Sequence, residues 1–219
     1  MSLGQMARGI LGPRFFPVVG RWYRAMFVDL QRVCSTLPTL PAGSHLLDVG
    51  GGDGELLNYL LRRFEHLSVT MIDIDQKIGW SVEPSLRNRI EILTETTLRQ
   101  YKAIKNRPVN FVLLCDVMHH IPILEREAFF SELRDVMDPH TSLIIKEVEP
   151  GSFRSQLSYL ADRYLSGDKH VTLVSRKDLL ALVLRFFPTH QVLETELFEL
   201  DSPNYCLFFR PAKRANGGR

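Results

Sequence analysis

The run Leu46-Leu47-Asp48-Val49-Gly50-Gly51-Gly52-Asp53-Gly54-Glu55 is the strongest structural signal in this chain of 219 residues. An apolar segment enters a turn dense in glycine, and helical apolar spacing follows from Glu55. Glycines allow positive φ angles and let a ligand approach the backbone closely. The free N–H groups at the start of the following helix would point at that ligand. The run therefore predicts a strand, a cofactor-binding loop and a helix.

The spacing of the glycines bears on which cofactor the loop binds. A dinucleotide site needs glycine at the first, third and sixth positions. Counting from Gly50, the third position is Gly52, but the sixth is Glu55. Because a carboxylate there would oppose a pyrophosphate, the spacing disfavours NAD. An NAD-dependent enzyme is kept as an alternative.

Composition indicates one compact α/β unit. Hydrophobic residues make up 45% of the chain, and 27 basic against 25 acidic residues give a net charge of +2, which demands no nucleic-acid partner. Cys34, Cys115 and Cys206 are widely spaced and suggest packing residues in a reducing compartment, without a disulfide framework or zinc spacing. No apolar run is long enough for a membrane span or secretory core, so we expect a cytoplasmic protein.

Strand-like and helical patterns alternate along the chain, which is typical of a doubly wound parallel sheet. The end differs, because two β-rich runs are joined by only Asp201-Ser202-Pro203-Asn204, which suits an antiparallel hairpin. The predicted strands after the first cover residues 68–75, 89–93, 110–115, 142–148, 191–200 and 205–210, and predicted helices cover 18–37, 126–137 and 176–187.

The pattern Asp-x-Gly-x-Gly-x-Gly over Asp48 to Gly54 resembles motif I of class I S-adenosylmethionine-dependent methyltransferases of the small-molecule type. The resemblance implies a Rossmann-like, doubly wound, mostly parallel seven-stranded sheet that ends in an antiparallel hairpin. It also implies S-adenosyl-L-methionine as cofactor, held by Asp48, Gly50, Gly51 and Gly52. This cofactor carries no phosphate, so acids beside the loop are tolerable.

Further cofactor contacts follow from the same resemblance. Asp73 lies just over 20 residues past the loop, where an acid binds the ribose hydroxyls, and Asp75 is the alternative if the strand ends two residues later. Glu95 is the candidate for the adenine amino group, although it departs from the family's usual Gly-Asp. The remaining candidates are Ile74, and Cys115, Asp116 and Val117 at the end of the fourth strand, where carbonyls near Cys115 and Asp116 would receive the ammonium.

Two adjacent histidines follow this turn, in the sequence Val117-Met118-His119-His120-Ile121. The run resembles the Leu-His-His signature of small-molecule methyltransferases. His119 and His120 are the candidate catalytic residues, because a neutral imidazole can take a proton from an attacking hydroxyl. The alternative is that one histidine only caps a helix or shapes the cofactor wall. No metal ligands are predicted.

We divide the chain into an N-terminal helical lid over residues 1–43 and a methyltransferase domain over residues 44–219, with a substrate-side insertion at about 150–175. The apolar lid and insertion favour a small lipid-like or polyketide-like acceptor with an oxygen, or a carbon, nucleophile. Aromatic and basic residues at 14–16 and 21–24 suggest peripheral membrane contact. The basic tail is interpreted as a solvated end rather than a nucleic-acid site. A non-catalytic partner subunit stays an alternative, and the oligomeric state is left open.

Overall fold

The computed structural model describes residues 30–151, 172–194 and 204–212. The described helices are α1 (Leu30–Thr36), α2 (Glu55–Arg63), α3 (Leu98–Ile104), α4 (Arg126–Val136) and α5 (Arg176–Phe186). The strands are β1 (His45–Val49), β2 (Ser68–Ile72), β3 (Ile90–Leu93), β4 (Phe111–Cys115), β5 (Ser142–Val148), β6 (His190–Glu194) and β7 (Asn204–Pro211). Short 3₁₀ turns cover Pro84–Arg89, Met118–His120 and Ile123–Glu125.

The seven strands form one sheet in the order β3-β2-β1-β4-β5-β7-β6. Strands β1 to β5 pair in parallel, whereas β7 runs antiparallel to both β5 and β6. Strand order reverses between β1 and β4, so the loops after these strands open a crevice at the carboxyl edge of the sheet. The predicted doubly wound sheet with a closing antiparallel hairpin is confirmed.

Apolar side chains cover both faces of the sheet, as expected for parallel strands buried on each side. On one face, α1 and α2 pack through residues such as Val33, Leu57 and Leu61. On the other face, α3, α4 and α5 pack through residues such as Tyr101, Phe130 and Leu179. The strands are therefore held rigidly, and the loops at their carboxyl ends carry the site.

Local sequence signals explain where several helices begin. Helix α3 starts with a capping box, in which Thr97 accepts a hydrogen bond from the Gln100 N–H and the Gln100 side chain accepts one from the Thr97 N–H. Helix α5 starts after Ser175, whose hydroxyl accepts a hydrogen bond from the Asp178 N–H.

The observed boundaries correct some sequence predictions. Strand β2 ends at Ile72 rather than Asp75, and Asn204 is the first residue of β7 rather than part of the connection. Of the predicted helix over 18–37, the structure describes the part from Leu30. Most of the lid and of the insertion lies outside the described residues. No helix in the described ranges is long and apolar enough to cross a membrane.

Candidate functional site

The glycine loop joins β1 to α2 and packs tightly against two neighbouring segments. Gly50 has φ = 69°, and a Cβ placed there would lie 2.8 Å from Cγ2 of Val117. A Cβ on Gly51 would overlap the Asp48 carboxylate and lie 2.7 Å from Cγ of Met71. The Gly50 N–H donates to the Ile72 carbonyl at 2.8 Å. Side chains larger than glycine would therefore push the loop away from the sheet edge.

Asp48 lies beneath this loop with 4% of its surface exposed. Burial, followed by repulsion from Asp73 and Asp53, raises the pKa of Asp48 to about 7. A carboxyl group with this pKa changes its charge near neutral pH.

Asp73 is the acid that the fold brings to the loop. It directly follows β2, and its Oδ2 accepts a hydrogen bond from the Gly52 N–H at 3.0 Å. Its Oδ1 accepts from the Asp75 N–H at 3.1 Å. Asp75 itself is exposed, so the geometry favours Asp73 over Asp75 as the ribose ligand.

Ile74 and Glu95 lie on the rim beside Asp73. The Ile74 residue is 74% exposed, which is unusual for a large apolar side chain. Glu95 has φ = 51° and its N–H donates to the Asp75 carbonyl at 3.2 Å. The Glu95 carboxylate accepts a hydrogen bond from the Gln76 amide at 2.8 Å. The structure therefore brings Ile74 and Glu95 to one edge of the crevice, and their contact with a cofactor stays a prediction.

The turn after β4 forms the opposite wall of the crevice. Asp116 has φ = 59°, a conformation that aspartate adopts more readily than most residues. Its N–H donates to the Lys146 carbonyl at 2.9 Å. Val117 follows and packs against Gly50. The predicted cofactor residues Cys115, Asp116 and Val117 thus lie beside the glycine loop.

Buried Glu147 holds the first histidine of the pair. Nδ1 of His119 lies 2.7 Å from Oε2 of Glu147, and the two side chains are 2% and 0% exposed. The other carboxylate oxygen accepts from the Met118 N–H at 2.6 Å. His120 is exposed, and its ring centroid lies 4.3 Å from that of His119. The structure brings both predicted histidines together, but only His119 is buried.

Lys146 clamps the same turn from the other face of the sheet. Side chains alternate along a strand, so Lys146 and Glu147 of β5 point in opposite directions. Nζ of Lys146 donates to both carboxylate oxygens of Asp116 at 2.7 Å. Burial alone would lower the pKa of Lys146, but the Asp116 carboxylate beside it holds that pKa above its usual value.

Arg126 ties the histidine turn to the segment before α5. Its guanidinium donates to the Ile121 carbonyl at 3.1 Å and to the Thr172 carbonyl at 2.6 Å. The Thr172 N–H in turn donates to the His119 carbonyl at 2.8 Å. The backbone around His119 is therefore fixed by hydrogen bonds from two directions.

Asp116, His119 and Glu147 also offer three ligand-type atoms within 4.8 Å of one another. Both oxygens of Asp116 accept from Lys146, and both oxygens of Glu147 accept from Met118 and His119. These contacts satisfy the carboxylate oxygens without a metal ion. The absence of a metal from the site stays a prediction.

The candidate site residues predicted from the sequence do not include Lys146, Glu147 or Arg126. A signal for two of them was present in the strand Ser142–Val148, where adjacent Lys146 and Glu147 interrupt an apolar run. Charged residues inside a buried strand are rare unless they are paired. Their partners could not be read from the sequence, because both lie about 30 positions away.

Solved structures with the same fold include three methyltransferases. An O-methyltransferase family protein from Burkholderia thailandensis has a TM-score of 0.68 and 18% identity, and the match covers 91% of this chain and 59% of that one. A second structure is NcsB1, an O-methyltransferase from neocarzinostatin biosynthesis in complex with S-adenosylmethionine and 2-hydroxy-5-methyl naphthoic acid. It has a TM-score of 0.64 and 16% identity, and the match covers 90% of this chain and 56% of that one. The carbon methyltransferase CurJ has a TM-score of 0.63 and 14% identity, and the match covers 89% of this chain and 58% of that one.

These likenesses show the fold. This chain spans less than two thirds of the length of each of these three proteins. No curated protein matches the sequence. The family model that is described as a methyltransferase domain matches residues 22–186, well over half of the chain. The predicted family is thereby confirmed, and the chain belongs to the methyltransferase domain family.

Proposed function

We propose that this chain transfers a methyl group from S-adenosyl-L-methionine to an oxygen nucleophile on a small, largely apolar molecule. The observation that carries the proposal is the pairing of buried His119 with Glu147 at 2.7 Å beside an intact glycine loop. In this proposal, His119 is the base, with its ring fixed by Glu147, and the glycine loop is the donor site.

The donor site fits this cofactor better than NAD. Asp48, Asp53 and Asp73 lie around the loop, and acids favour a ligand that carries a sulfonium and an ammonium group. Glu55 is the first residue of α2, where a carboxylate would repel a pyrophosphate. Asp73, already oriented by the Gly52 N–H, would accept hydrogen bonds from the ribose hydroxyls. When bound, S-adenosylmethionine supplies an electrophilic methyl group.

The histidine pair provides the proton chemistry. Glu147 accepts a hydrogen bond from Nδ1 of His119, which leaves Nε2 as the basic nitrogen. A base whose ring is oriented by a buried carboxylate can remove the proton from an acceptor hydroxyl. His120 is exposed on the same 3₁₀ turn and would shape the acceptor side. We therefore assign the base role to His119.

Apolar residues favour an apolar acceptor. Ile123 and Leu124 lie three and four residues after His120 and are 61% and 95% exposed. The naphthoic acid bound by NcsB1 is an aromatic hydroxy compound of this kind. The likeness to CurJ keeps a carbon nucleophile as the second candidate. The balanced charge favours a small molecule over a nucleic acid, and a cytoplasmic location is part of the same proposal.

Calorimetric titration of the whole chain tests the donor. S-adenosylhomocysteine and S-adenosylmethionine should bind with dissociation constants in the micromolar range or below, while NADH should not bind. The reverse order would contradict the proposed cofactor.

Labelled donor tests the acceptor. The chain is incubated with methyl-tritiated S-adenosylmethionine and a panel of hydroxylated naphthoates and phenols. The same compounds with the hydroxyl already methylated serve as matched controls, and should take up no label if oxygen is the acceptor atom. Equal labelling of a compound and its control would favour a carbon nucleophile instead.

A further inference from the structure

We propose that Lys146 is a positioning residue of the donor site, whose buried ammonium fixes the Asp116 turn against the glycine loop and cancels the charge of the Asp116 carboxylate. The inference rests on the proposed cofactor. It assigns a role to a residue that does not touch the reacting groups.

Burial of the Lys146 ammonium group costs free energy that packing of its side chain alone would not offset. Its side chain is completely buried, and its register partners are Cys115 on β4 and Cys206 on β7. An ammonium group without water contact is tolerated only when it is paired and hydrogen-bonded. Asp116 supplies that partner, with both oxygens at 2.7 Å from Nζ.

The pair connects the sheet interior to the crevice. Whereas Lys146 is buried, the Asp116 side chain is 31% exposed. One end of the ion pair is therefore anchored between strands, and the other end lies at the surface of the turn. This ion pair therefore holds the turn in a fixed position relative to β5.

The backbone of the turn depends on the same two residues. Asp116 adopts φ = 59°, and its N–H donates to the Lys146 carbonyl at 2.9 Å. Lys146 thus holds Asp116 through both its main chain and its side chain. The next residue, Val117, packs against Gly50 so closely that a Cβ at Gly50 would lie 2.8 Å from it. A shift of Asp116 would consequently move the contact between the turn and the glycine loop.

Charge balance adds a second reason for the lysine. Asp53 and Asp73 already repel the Asp48 carboxylate beneath the loop. An unneutralised Asp116 would add another negative charge to this region. Lys146 allows the turn to contain an acid without increasing that repulsion.

The experiment measures S-adenosylhomocysteine binding by calorimetry in Lys146→Met, Asp116→Asn and the double variant. We expect each single variant to bind about tenfold more weakly or worse. The double variant should bind no more weakly than the weaker single variant, because the two residues act as one unit. Lys146→Arg keeps the positive charge and should bind S-adenosylhomocysteine with an affinity within threefold of that of the unaltered chain.

Lys105→Met is the matched control. Nζ of Lys105 pairs with Asp138 at 2.8 Å and is largely buried, but Asp138 lies in the turn before β5, at the opposite edge of the sheet. This variant should lose thermal stability without a change in affinity beyond twofold. All affinities are measured at a temperature where circular dichroism shows the variants folded.

Unchanged affinity in Lys146→Met, or equal weakening in Lys105→Met, would overturn the inference. If Lys146→Met does not fold, the inference depends on Asp116→Asn, and unaltered binding there overturns it. Failure of the unaltered chain to bind S-adenosylhomocysteine would contradict the proposed function instead.

Discussion

Glu147 and His119, which face each other at 2.7 Å inside the protein, form a fixed pair between β5 and the turn after β4. Because Glu147 is fully buried, its carboxylate orients the imidazole ring without competition from water. The other carboxylate oxygen anchors the Met118 N–H, so Glu147 fixes the ring and its backbone together.

Glu147→Gln should disturb the tautomer of His119 and lower the turnover number. An amide can donate as well as accept, so it no longer selects the ring form with a proton on Nδ1. We expect turnover to fall about 100-fold or more with a working acceptor. Long-range proton–nitrogen correlation spectra of the histidine rings report the tautomer without any acceptor. Glu149→Gln, two positions along the chain, is the control and should leave the His119 spectrum unchanged.

Asp73→Asn should weaken S-adenosylhomocysteine binding, by about tenfold or more, because an amide accepts fewer hydrogen bonds than a carboxylate. Asp75→Asn is the matched control, since Asp75 is exposed and two residues away. Calorimetry on both variants distinguishes the two candidate ribose ligands. A larger loss in Asp75→Asn would reverse the assignment.

Asp48 should make stability depend on pH. Its pKa is about 7 in the folded chain against an ordinary value of 3.8, so between these values the folded state holds a proton that the unfolded state releases. Its contribution to stability is therefore complete below about pH 4 and is lost as pH rises through 7.

The side chain introduced by Asp48→Asn is neutral at every pH, so this variant should not show the loss of stability that Asp48 causes as pH rises. The stability of the variant relative to the unaltered chain should increase by about 1 to 3 kcal/mol between pH 5 and pH 8. Urea unfolding at the two pH values measures the difference. A constant offset would mean that Asp48 does not titrate in this range.

Arg89 should contribute strongly to the stability of the α2 end. Its guanidinium donates to the carbonyls of Leu61, Phe64 and Leu67 at 2.9, 2.6 and 3.1 Å. Arg89→Met should lower the free energy of unfolding by about 2 to 3 kcal/mol, since three acceptors lose a charged donor. Arg62→Met, which breaks an exposed ion pair with Glu83, should cost less than about 1 kcal/mol in the same urea titration.

The sequence was sufficient for the architecture because local patterns and the order of elements specify it. The apolar run before Gly50, the helical spacing after Glu55 and the closing hairpin each follow from propensity and periodicity. The predicted strand ends were less accurate. Strand β2 ends at Ile72 rather than Asp75, because hydrogen bonding to the neighbouring strands decides where a strand stops. The position of Asp73 beside the loop could be predicted because its spacing from the loop reflects one strand–helix–strand unit, whereas its contact with a ribose stays a prediction.

The sequence by itself determined the topology of the sheet, the position of the glycine loop and the position of the two histidines after the fourth strand. These features depend on residues that are adjacent in the chain. Only the tertiary structure showed that Lys146 and Glu147 hold one turn from opposite faces of the sheet. Their partners, Asp116 and His119, are distant in sequence and are brought close by the parallel pairing of β4 with β5. Which charged groups become buried together is a property of that pairing, and no local pattern encodes it.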